Sequence, residues 1–466
     1  MTRNIIWYFF FFLISYDINS QELFNKNVYG FATSNTFTYF DTNSEDFKKN
    51  IKKISPNVLR FPGGAVGNFY HLNESAYGMK IKEIDSLILG KFPKRARGLI
   101  SYSKKRGHKK NYIYDFIELA KYTNSAVVLV ANILTESKED IVKMIKKIKE
   151  NDLNVIGVEL GSEMSNKSYF DKGFTIYNYI KSSHEISDYI KSVFPNMKTA
   201  VVAAPLMKDK THRHYIWNKK LSELDFYDAI IIHSYAKVVK GKGQYGQMIY
   251  EKDEGGKSKS FALYNDRIQE FFNYSYPKEI AEYNLIFDNS PIWITEWNLQ
   301  YSKKTGNTFF QGLFVANFFL EIISEKTFKT IELTTFHNLA GRDFGGSIFQ
   351  MKNNETLFQS TYIPIQMIGK FFNDDNLSVK KEIIDKKILK YKLYKDNELV
   401  SECWINWSKK SRKISSSLKM YKTIKQNYSS NLYNLNSDTG KINFIENSID
   451  RIDNFVIRPY SITLIE

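Results

Sequence analysis

The chain has 466 residues, of which 43% are hydrophobic and 25% are charged, a composition typical of globular proteins and too apolar for a disordered one. A single cysteine, Cys403, excludes a disulfide scaffold and any zinc or iron–sulfur site built from thiolates alone. The formal net charge is +16, and 55 of the 66 basic residues are Lys, so we interpret most of this charge as a Lys-rich background. A surface that binds an acidic substrate is the alternative. Binding to nucleic acid is less favoured than either.

Residues 1–20 have the pattern of a secretory signal peptide. Arg3 gives a basic start, residues 5–14 form an apolar core, and Ser20 is a small residue at which cleavage can occur. This core is too short for a bilayer span of about 20 residues, so an uncleaved anchor helix is the less favoured alternative. No other long apolar run occurs, which excludes a polytopic membrane protein. We expect an exported protein, periplasmic, outer-surface or extracellular, without stable membrane insertion.

The rest of the chain alternates short runs rich in β-branched residues with amphipathic helical stretches. This alternation predicts βα units, and eight such runs predict a (β/α)8 TIM barrel over residues 21–372. A doubly wound sheet is the alternative, but no Gly-rich phosphate loop follows the first run. The predicted strands are residues 28–32, 58–61, 126–131, 155–160, 200–204, 229–233, 292–297 and 331–336.

Two segments depart from this alternation. Residues 373–466 contain short alternating runs between Asn, Ser, Asp and Gly turns, which predicts a C-terminal β-sandwich domain. Residues 72–110 are too long for a plain βα loop and include the densest basic stretch, residues 91–110, with 3 of the 11 Arg. Because it follows the second strand, we expect this stretch on the catalytic rim. It is either a functional insertion that binds anionic groups or a partly disordered segment.

Two carboxylates follow strands that lie across the predicted barrel from each other. Glu163 comes after the fourth strand and Glu296 ends the seventh, so both can point into one cleft at the carboxyl end of the barrel. Retaining glycoside hydrolysis needs two carboxyl groups about 5–5.5 Å apart, one as nucleophile and one as acid/base. Glu159 is a competing acid, but its position deeper in the barrel would require an Arg or Lys partner.

Motifs at these strand ends resemble glycoside hydrolase clan A, the retaining (β/α)8 enzymes with acid/base after strand four and nucleophile after strand seven. The motifs LRFPGG, VELGSE, HSY and ITEWN begin at residues 59, 158, 233 and 294. They are similar to the branch that holds α-L-arabinofuranosidases, β-xylosidases, iduronidases and heparanase-like glucuronidases, which also carries a C-terminal β-sandwich. The resemblance covers most of residues 27–466, although only the four motifs are specific.

The resemblance implies a role for each side chain near the strand ends. Glu163 would be the acid/base, Glu296 the nucleophile, and Tyr235 a hydrogen-bond donor to the nucleophile. Some assignments have structural alternatives. Arg60 would support Glu296 or pair with Glu159, His233 would line the sugar pocket or sit in the core, and Trp297 would stack on sugar or pack. The full set of predicted substrate-binding residues is Arg60, Gly63, Gly64, Asn68, Asn132, Ser162, His233, Tyr235, Trp297 and His337.

One position departs from the clan pattern. The clan normally has Asn immediately before the acid/base, and this chain has Ser162. The departure leaves two interpretations open: a substrate altered at its 2-position, or a non-catalytic carbohydrate-binding protein on a degenerate barrel. A heparin-like or nucleic-acid binder using the basic insertion is a third. We favour an exported retaining hydrolase acting on a polysaccharide or oligosaccharide, acidic or neutral, that needs no cofactor and no metal and binds no nucleic acid.

Overall fold

The computed structural model describes residues 24–239, 256–300, 302, 304–341, 346–352, 355–374, 376–418, 423–437, 440–448 and 455–466. The predicted signal peptide lies outside these residues. Within the described ranges, no helix combines the length and apolar character needed to cross a membrane.

Eight parallel strands close into a barrel in chain order, and strand eight pairs with strand one. Each of the eight predicted runs overlaps one of these strands, so the predicted fold class is confirmed and the doubly wound sheet is excluded. The runs form barrel strands because both of their faces are buried, by side chains filling the barrel inside and by helices outside. The strands are β1 (Gly30–Ala32), β2 (Val58–Phe61), β3 (Ala126–Val130), β4 (Val155–Leu160), β5 (Lys198–Val202), β6 (Ala229–Ala236), β7 (Ile292–Leu299) and β8 (Ile331–Phe336).

Helices surround the barrel and connect its strands. The helices are α1 (Thr36–Tyr39), α2 (Glu45–Ile54), α3 (Gly64–Gly67), α4 (Ile81–Leu87), α5 (Phe92–Lys105), α6 (Ile113–Thr123), α7 (Lys138–Lys149), α8 (Lys167–Phe170), α9 (Ile176–Val193), α10 (Arg213–Ser222), α11 (Gly256–Glu270), α12 (Tyr276–Ile286), α13 (Phe309–Ser324) and α14 (Tyr362–Ile368). In α7, Ser137 caps the helix by accepting from the Asp140 N–H at 3.1 Å, and Ile141, Ile145 and Ile148 form the buried stripe.

The insertion after β2 is ordered and helical. It contains α4 and the basic helix α5, so in this structure the segment is not disordered. His71 joins it to the barrel: its Nδ1 lies 2.7 Å from Glu136, which follows β3, and its Nε2 lies 2.7 Å from Glu83 on α4. Burial lowers the pKa of His71, but hydrogen bonds and charges from Glu136 and Glu83 outweigh burial and raise it above its ordinary value.

A small mixed sheet and then antiparallel sheets follow the barrel, and the antiparallel ones are what the predicted sandwich requires. A three-stranded sheet comprises β9 (Ala340–Gly341), β10 (Phe349–Lys352) and β11 (Glu355–Phe358). The later strands are β12 (Leu377–Asp385), β13 (Ile388–Lys395), β14 (Glu398–Asn406), β15 (Arg412–Ile414), β16 (Thr423–Ser429), β17 (Ile442–Ser448), β18 (Phe455–Ile457) and β19 (Ser461–Ile465). Six of them form one sheet in the order β12-β13-β14-β19-β16-β17, and β15 pairs with β18. The domain boundary at residue 373 stays a prediction.

A buried polar network joins these strands to the barrel. Glu321 on α13 accepts hydrogen bonds from Tyr391 at 2.6 Å and from Lys381 at 2.7 Å, both from the six-stranded sheet. Trp407 donates its indole N–H to Asn317 on the same helix at 2.8 Å. Helix α13 is buried on all sides because the barrel lies on one side and these strands on the other.

Candidate active site

The two predicted catalytic carboxylates meet in one cleft. One oxygen of Glu163, a ring nitrogen of His233 and one oxygen of Glu296 all lie within 4.8 Å of one another. This separation matches the short carboxyl spacing of retaining enzymes, about 5–5.5 Å, and is too small for the ~6.5–9.5 Å of inverting ones. The Glu163 side chain is 49% exposed and that of Glu296 is 7% exposed. The arrangement therefore offers one accessible and one recessed carboxyl group.

A β-bulge aims Glu296 into this cleft. Ile232 of β6 pairs with Ile294 of β7, but the next residue, His233, pairs with Glu296, so Thr295 is the extra residue. Thr295 donates to Glu159 inside the barrel, whereas Glu296 also faces the cleft. Without the bulge, strict alternation would put neighbouring side chains on opposite faces.

Arg60 supports both carboxylates of the barrel interior. Its Nε and Nη2 donate to the two oxygens of Glu159 at 2.6 and 2.8 Å, and its Nη1 donates to Oε1 of Glu296 at 2.9 Å. Both roles considered for Arg60 are therefore present, but its prediction as a substrate-binding residue is corrected, because its side chain is 0% exposed and lies behind the carboxylates. Glu159 is 0% exposed and its oxygens accept from Arg60 and Thr295, so its assignment as a competing acid is wrong.

The surroundings of Glu296 keep it ionised. Burial raises the pKa of its carboxyl group, but the charges of His233, His337 and Arg60 and a hydrogen bond from Tyr235 outweigh burial and hold the pKa well below its ordinary value. The Tyr235 hydroxyl donates to Oε2 at 2.8 Å, as the resemblance implied. An ionised carboxylate held this way is suited to act as a nucleophile.

His233 lies between the two carboxyl groups. Its Nδ1 is 3.1 Å from Oε1 of Glu163 and 3.6 Å from Oε2 of Glu296, and its Nε2 is 3.3 Å from Thr295. Burial lowers the pKa of His233, but the nearby charges of Glu296 and Glu163 raise it above its ordinary value. His233 is thus part of the charge arrangement of the cleft and not an apolar-core histidine.

Asn68 fixes the peptide that precedes Glu163. Its side chain accepts from the Ser162 N–H at 2.8 Å and donates to the Ser162 carbonyl at 2.7 Å and to the Tyr169 hydroxyl at 2.8 Å. Glu163 itself has a φ of 51°, in the left-handed region, so its backbone depends on such support. Asn68 was predicted to bind substrate, but its amide is buried and engaged here, and it acts by positioning Glu163.

Ser162, Asn132 and Trp297 were also predicted to bind substrate, and the structure corrects all three. Ser162 is 0% exposed, and its Oγ faces the Arg60 guanidinium at 3.4 Å, inside the barrel. The buried Asn132 side chain folds onto its own loop, accepting from the Thr135 N–H at 3.1 Å. Trp297 is 0% exposed and stacks on Phe318 of α13, with ring centroids 4.1 Å apart. The bulge turns it outward, so it packs and does not stack on sugar.

Gly64 borders the nucleophile, and Gly63 borders Arg60. Gly63 and Gly64 have φ values of 81° and 58°, which favour residues without a side chain. A Cβ added at Gly64 would lie 3.4 Å from Oε1 of Glu296, so a larger residue would crowd the nucleophile. His337 stands on the other side, half-buried, with its ring centroid 6.1 Å from that of Tyr235. These residues shape the cleft around Glu296.

The charge of the basic insertion influences the cleft. Burial lowers the pKa of His337, the charge of Glu296 opposes this, and the positive charges of Arg95 and Arg60 lower it further. Arg95 belongs to α5 and is exposed, so a cation of the predicted rim stands close enough to act on a residue of the cleft. Sequence reasoning singled out this stretch but not the individual arginine.

A cavity of about 350 Å³ opens beside Glu163 and was missed by sequence reasoning. It lies between the ends of β4, β5 and β6 and helices α10 and α12, and its charged lining includes Arg213, Lys237 and Glu279. These residues lie beyond the strand ends, in positions where single charged residues carry no distinctive sequence signal.

The same carboxylate pair is where a metal ion could bind among the described residues. Glu163, His233 and Glu296 could each supply one ligand atom. However, Arg60, His233 and the Tyr235 hydroxyl already supply positive charge and hydrogen bonds to Glu296, so the carboxylate has partners without a metal. The absence of a metal requirement stays a prediction.

Comparison with known proteins identifies the fold. No protein-family model and no curated protein sequence matches this chain. Among solved structures, a GH51 arabinofuranosidase from Xanthomonas axonopodis pv. citri matches with a TM-score of 0.67 at 11% identity, over 96% of this chain and 98% of that one. An α-L-arabinofuranosidase from Thermotoga maritima matches with a TM-score of 0.61 at 14% identity, over 95% and 96% of the two chains. A 4-O-α-L-rhamnosyl-β-D-glucuronidase from Fusarium oxysporum 12S matches with a TM-score of 0.61 at 12% identity, over 96% and 97%.

These matches extend over nearly the whole of each chain. They confirm that the chain has the barrel-plus-sandwich fold of the arabinofuranosidases that its motifs resemble. At such low identity the likeness concerns the fold, and the assignment of chemistry has to come from the arrangement of the cleft.

Proposed function

We propose that the protein is a retaining glycoside hydrolase with Glu296 as nucleophile and Glu163 as acid/base. The observation that carries this proposal is the pair of carboxylates within 4.8 Å at the ends of β4 and β7, one recessed and ionised, the other accessible. The fold shared with arabinofuranosidases and a glucuronidase supports it. A binding protein would not require this pair.

In the first step, Glu296 attacks the anomeric carbon and Glu163 protonates the departing glycosidic oxygen. Arg60 and Tyr235 hold the attacking carboxylate in place through hydrogen bonds of 2.9 and 2.8 Å. With Nδ1 protonated, His233 donates to Oε1 of Glu163 and leaves Oε2 to carry the transferable proton. The product of this step is a glycosyl ester on Glu296 and a free leaving-group sugar.

In the second step, Glu163 takes a proton from water, and the resulting hydroxide equivalent attacks the anomeric carbon. The ester bond to Glu296 breaks, and the carboxylate returns with its electron pair. Two inversions give net retention of the anomeric configuration. Exposure of Glu163 gives water access to the base without disturbing the recessed nucleophile.

We further propose that the substrate is an acidic polysaccharide or its oligosaccharides, and that the protein is exported. The positive charge of Arg95 on α5 acts on His337 of the cleft, and the same helix carries further Lys and Arg. The fold neighbour from Fusarium oxysporum is described as a glucuronidase, in complex with Rha-GlcA. Cations at a cleft raise the local concentration of anionic substrate. Export is supported by the sequence pattern of residues 1–20.

The experiment is a screen of the purified chain against neutral, uronic and sulfated polysaccharides and matching aryl glycosides, reading released reducing ends or aryl alcohol. On the best substrate, Glu163→Gln should lower turnover about 10²–10⁴-fold, the usual contribution of a general acid, and Glu296→Ala at least as much. Glu332→Gln is the matched control, since Glu332 pairs with Lys198 at the opposite end of the barrel. Activity retained in either site variant would refute the assignment.

The acidic-substrate proposal has its own readout. KM for a uronic or sulfated substrate should rise steeply between low and physiological ionic strength, because surface charges are screened over about 10 Å at 0.1 M salt. KM for a neutral aryl glycoside should barely change. If the two substrates respond alike to salt, the substrate is not selected by charge. A chain that binds polysaccharide and hydrolyses nothing would instead be the carbohydrate-binding protein.

A further inference from the structure

A second feature of the cleft concerns the side on which the leaving group departs, and it rests on the proposed function. The 350 Å³ cavity is lined by Glu163 and also by His233 and Tyr235, which contact Glu296, but the Glu296 carboxylate itself is not part of its lining. The acid/base protonates the oxygen that joins the two sugar units, whereas the nucleophile contacts the unit that stays on the enzyme. A cavity that adjoins the acid/base and not the nucleophile therefore receives the leaving-group unit.

The charged lining of this cavity is dominated by cations. Arg213, the first residue of α10, donates one N–H to the Ser165 carbonyl, and a guanidinium has five such donors. Lys237 follows β6 and has an exposed side chain. Burial raises the pKa of Glu279 to about 7, against the nearby charge of Lys237, so this carboxyl group is only partly ionised near neutral pH. Apart from Glu163, the cavity lining thus carries the full positive charges of Arg213 and Lys237 and only a partial negative charge on Glu279.

The remaining lining suits a sugar ring. Val202, Pro205, Leu206 and Tyr283 provide apolar and aromatic surface between the charged groups. Burial and the charges of Arg213 and His212 lower the pKa of His214 to about 4, so its ring is neutral and adds a polar contact but no charge. The volume lies within the range of about 300–1,000 Å³ that is usual for small-ligand sites.

We propose that this cavity is a leaving-group subsite that selects an anionic sugar unit, whose carboxylate or sulfate is bound by Arg213 and Lys237. Arg213 offers planar paired donors that fit either anion, and Lys237 adds a point charge. The subsite thus makes the enzyme select negative charge on the leaving-group side of the bond that is cleaved.

The test measures equilibrium binding to the full chain by NMR titration at pH 6 and low salt. The probes are methyl β-D-glucuronide against methyl β-D-glucoside, and methyl β-D-galactoside 6-sulfate against methyl β-D-galactoside. At least one anionic probe should bind about tenfold more tightly than its neutral partner, as one charge-assisted hydrogen bond allows. The pair with the larger difference distinguishes a carboxylate from a sulfate site.

Substitutions of Lys237 and Arg213 test whether these two cations cause the preference for anionic probes. Lys237→Gln and Arg213→Gln should each lower the anionic preference about threefold, so that together they account for the tenfold preference, while neutral binding stays the same. Lys237 is the safer position because its side chain is exposed, whereas Arg213 also holds Ser165. Lys219→Gln is the control, since Lys219 is an exposed cation on the same helix that does not line the cavity.

The outcomes separate this inference from the proposed function. Equal affinity for charged and neutral probes, or a preference that survives both variants, overturns the subsite even if the enzyme is active. A preference that depends on Arg213 and Lys237 in a chain that hydrolyses nothing keeps the anion site and overturns the hydrolase. In an active enzyme, the glucuronide should also be the better acceptor of the enzyme-bound glycosyl group, and a better glucoside acceptor would contradict the subsite.

Discussion

Replacing Asn68 with Ala tests how the protein positions its acid/base. The side-chain oxygen and nitrogen of Asn68 are both hydrogen-bonded to the backbone of Ser162, the residue just before Glu163. Ser162 is 0% exposed, so water cannot replace these bonds. The variant would leave one buried N–H and one buried carbonyl without partners.

The expected loss follows from these two groups. A buried polar group without a partner costs about 1–3 kcal/mol, so the Asn68→Ala variant should be destabilised by about 2–6 kcal/mol. Relaxation of the peptide would move Glu163, which has no ladder hydrogen bonds of its own to hold a left-handed backbone. A displacement on the order of 1 Å costs about 10²-fold in rate. We therefore expect turnover per folded molecule to fall about 10²-fold, with little change in KM.

Asn218 provides the matched control. Its amide accepts from the Ala204 N–H at 2.7 Å and donates to the Ala204 carbonyl at 2.9 Å, the same pair of bonds on a different loop. Asn218→Ala should lower the thermal melting temperature, by less than Asn68→Ala because the Ala204 carbonyl also accepts from the Tyr283 hydroxyl at 3.1 Å, and should leave the hydrolysis of a simple aryl glycoside within a fewfold. If both variants lose activity equally, or if Asn68→Ala melts early yet turns over normally, the positioning role is refuted.

Three further predictions concern packing and charge. Trp297→Phe should lower stability by about 1–3 kcal/mol, through lost volume and the lost bond to Thr334, and leave KM within about twofold; a large rise in KM would restore Trp297 as a sugar platform. Glu321→Ala should cost about 1–3 kcal/mol in unfolding free energy, because the buried Tyr391 hydroxyl loses its acceptor while Lys381 keeps Glu325, with turnover per folded molecule unchanged. The pKa of His71 is raised in the folded protein, so its charged form stabilises the fold below about pH 6.5, and this stabilisation is lost as pH rises through the raised pKa. The melting temperature should therefore fall between pH 6 and 9. It should fall less in His71→Gln. An identical pH dependence in the two proteins would contradict that role of His71.

The barrel and its carboxylate pair could be predicted from sequence because both follow from periodicity and order. Eight short buried runs with helices between them admit few topologies, and residues at the carboxyl ends of barrel strands converge. Glu163 and Glu296 therefore meet wherever the strand order is right. Arg60 could also be placed, because a buried carboxylate such as Glu159 needs a cationic partner.

The β-bulge in β7 could not be predicted from the sequence. The direction in which the Trp297 side chain points could therefore not be predicted either. Alternation along ITEWN leaves both tryptophan orientations open until the extra residue, Thr295, is known. The bulge depends on how β6 and β8 pair with β7, which is tertiary information. Asn68 and Ser162 were misassigned for a related reason, since a polar residue near a cleft can face the substrate or hold the backbone.

The charged cavity was missed for a different reason. Arg213 and Lys237 are single cations in a chain with 66 Lys and Arg, and nothing in their spacing marks them. Helix α5 was not predicted as a helix, although its buried positions Ala96, Leu99 and Ser103 repeat at helical spacing beneath the basic residues.

The most direct test of the central claim is mass spectrometry of the chain after incubation with a 2-fluoro glycoside of the sugar that the substrate screen identifies. The fluorine slows hydrolysis of the glycosyl ester, so a retaining enzyme accumulates it. We predict a stoichiometric adduct whose proteolytic peptide carries the sugar on Glu296, and no adduct in Glu296→Ala. An adduct on another residue, or an active enzyme that yields no adduct and releases the inverted anomer, would contradict the assignment of Glu296 and Glu163.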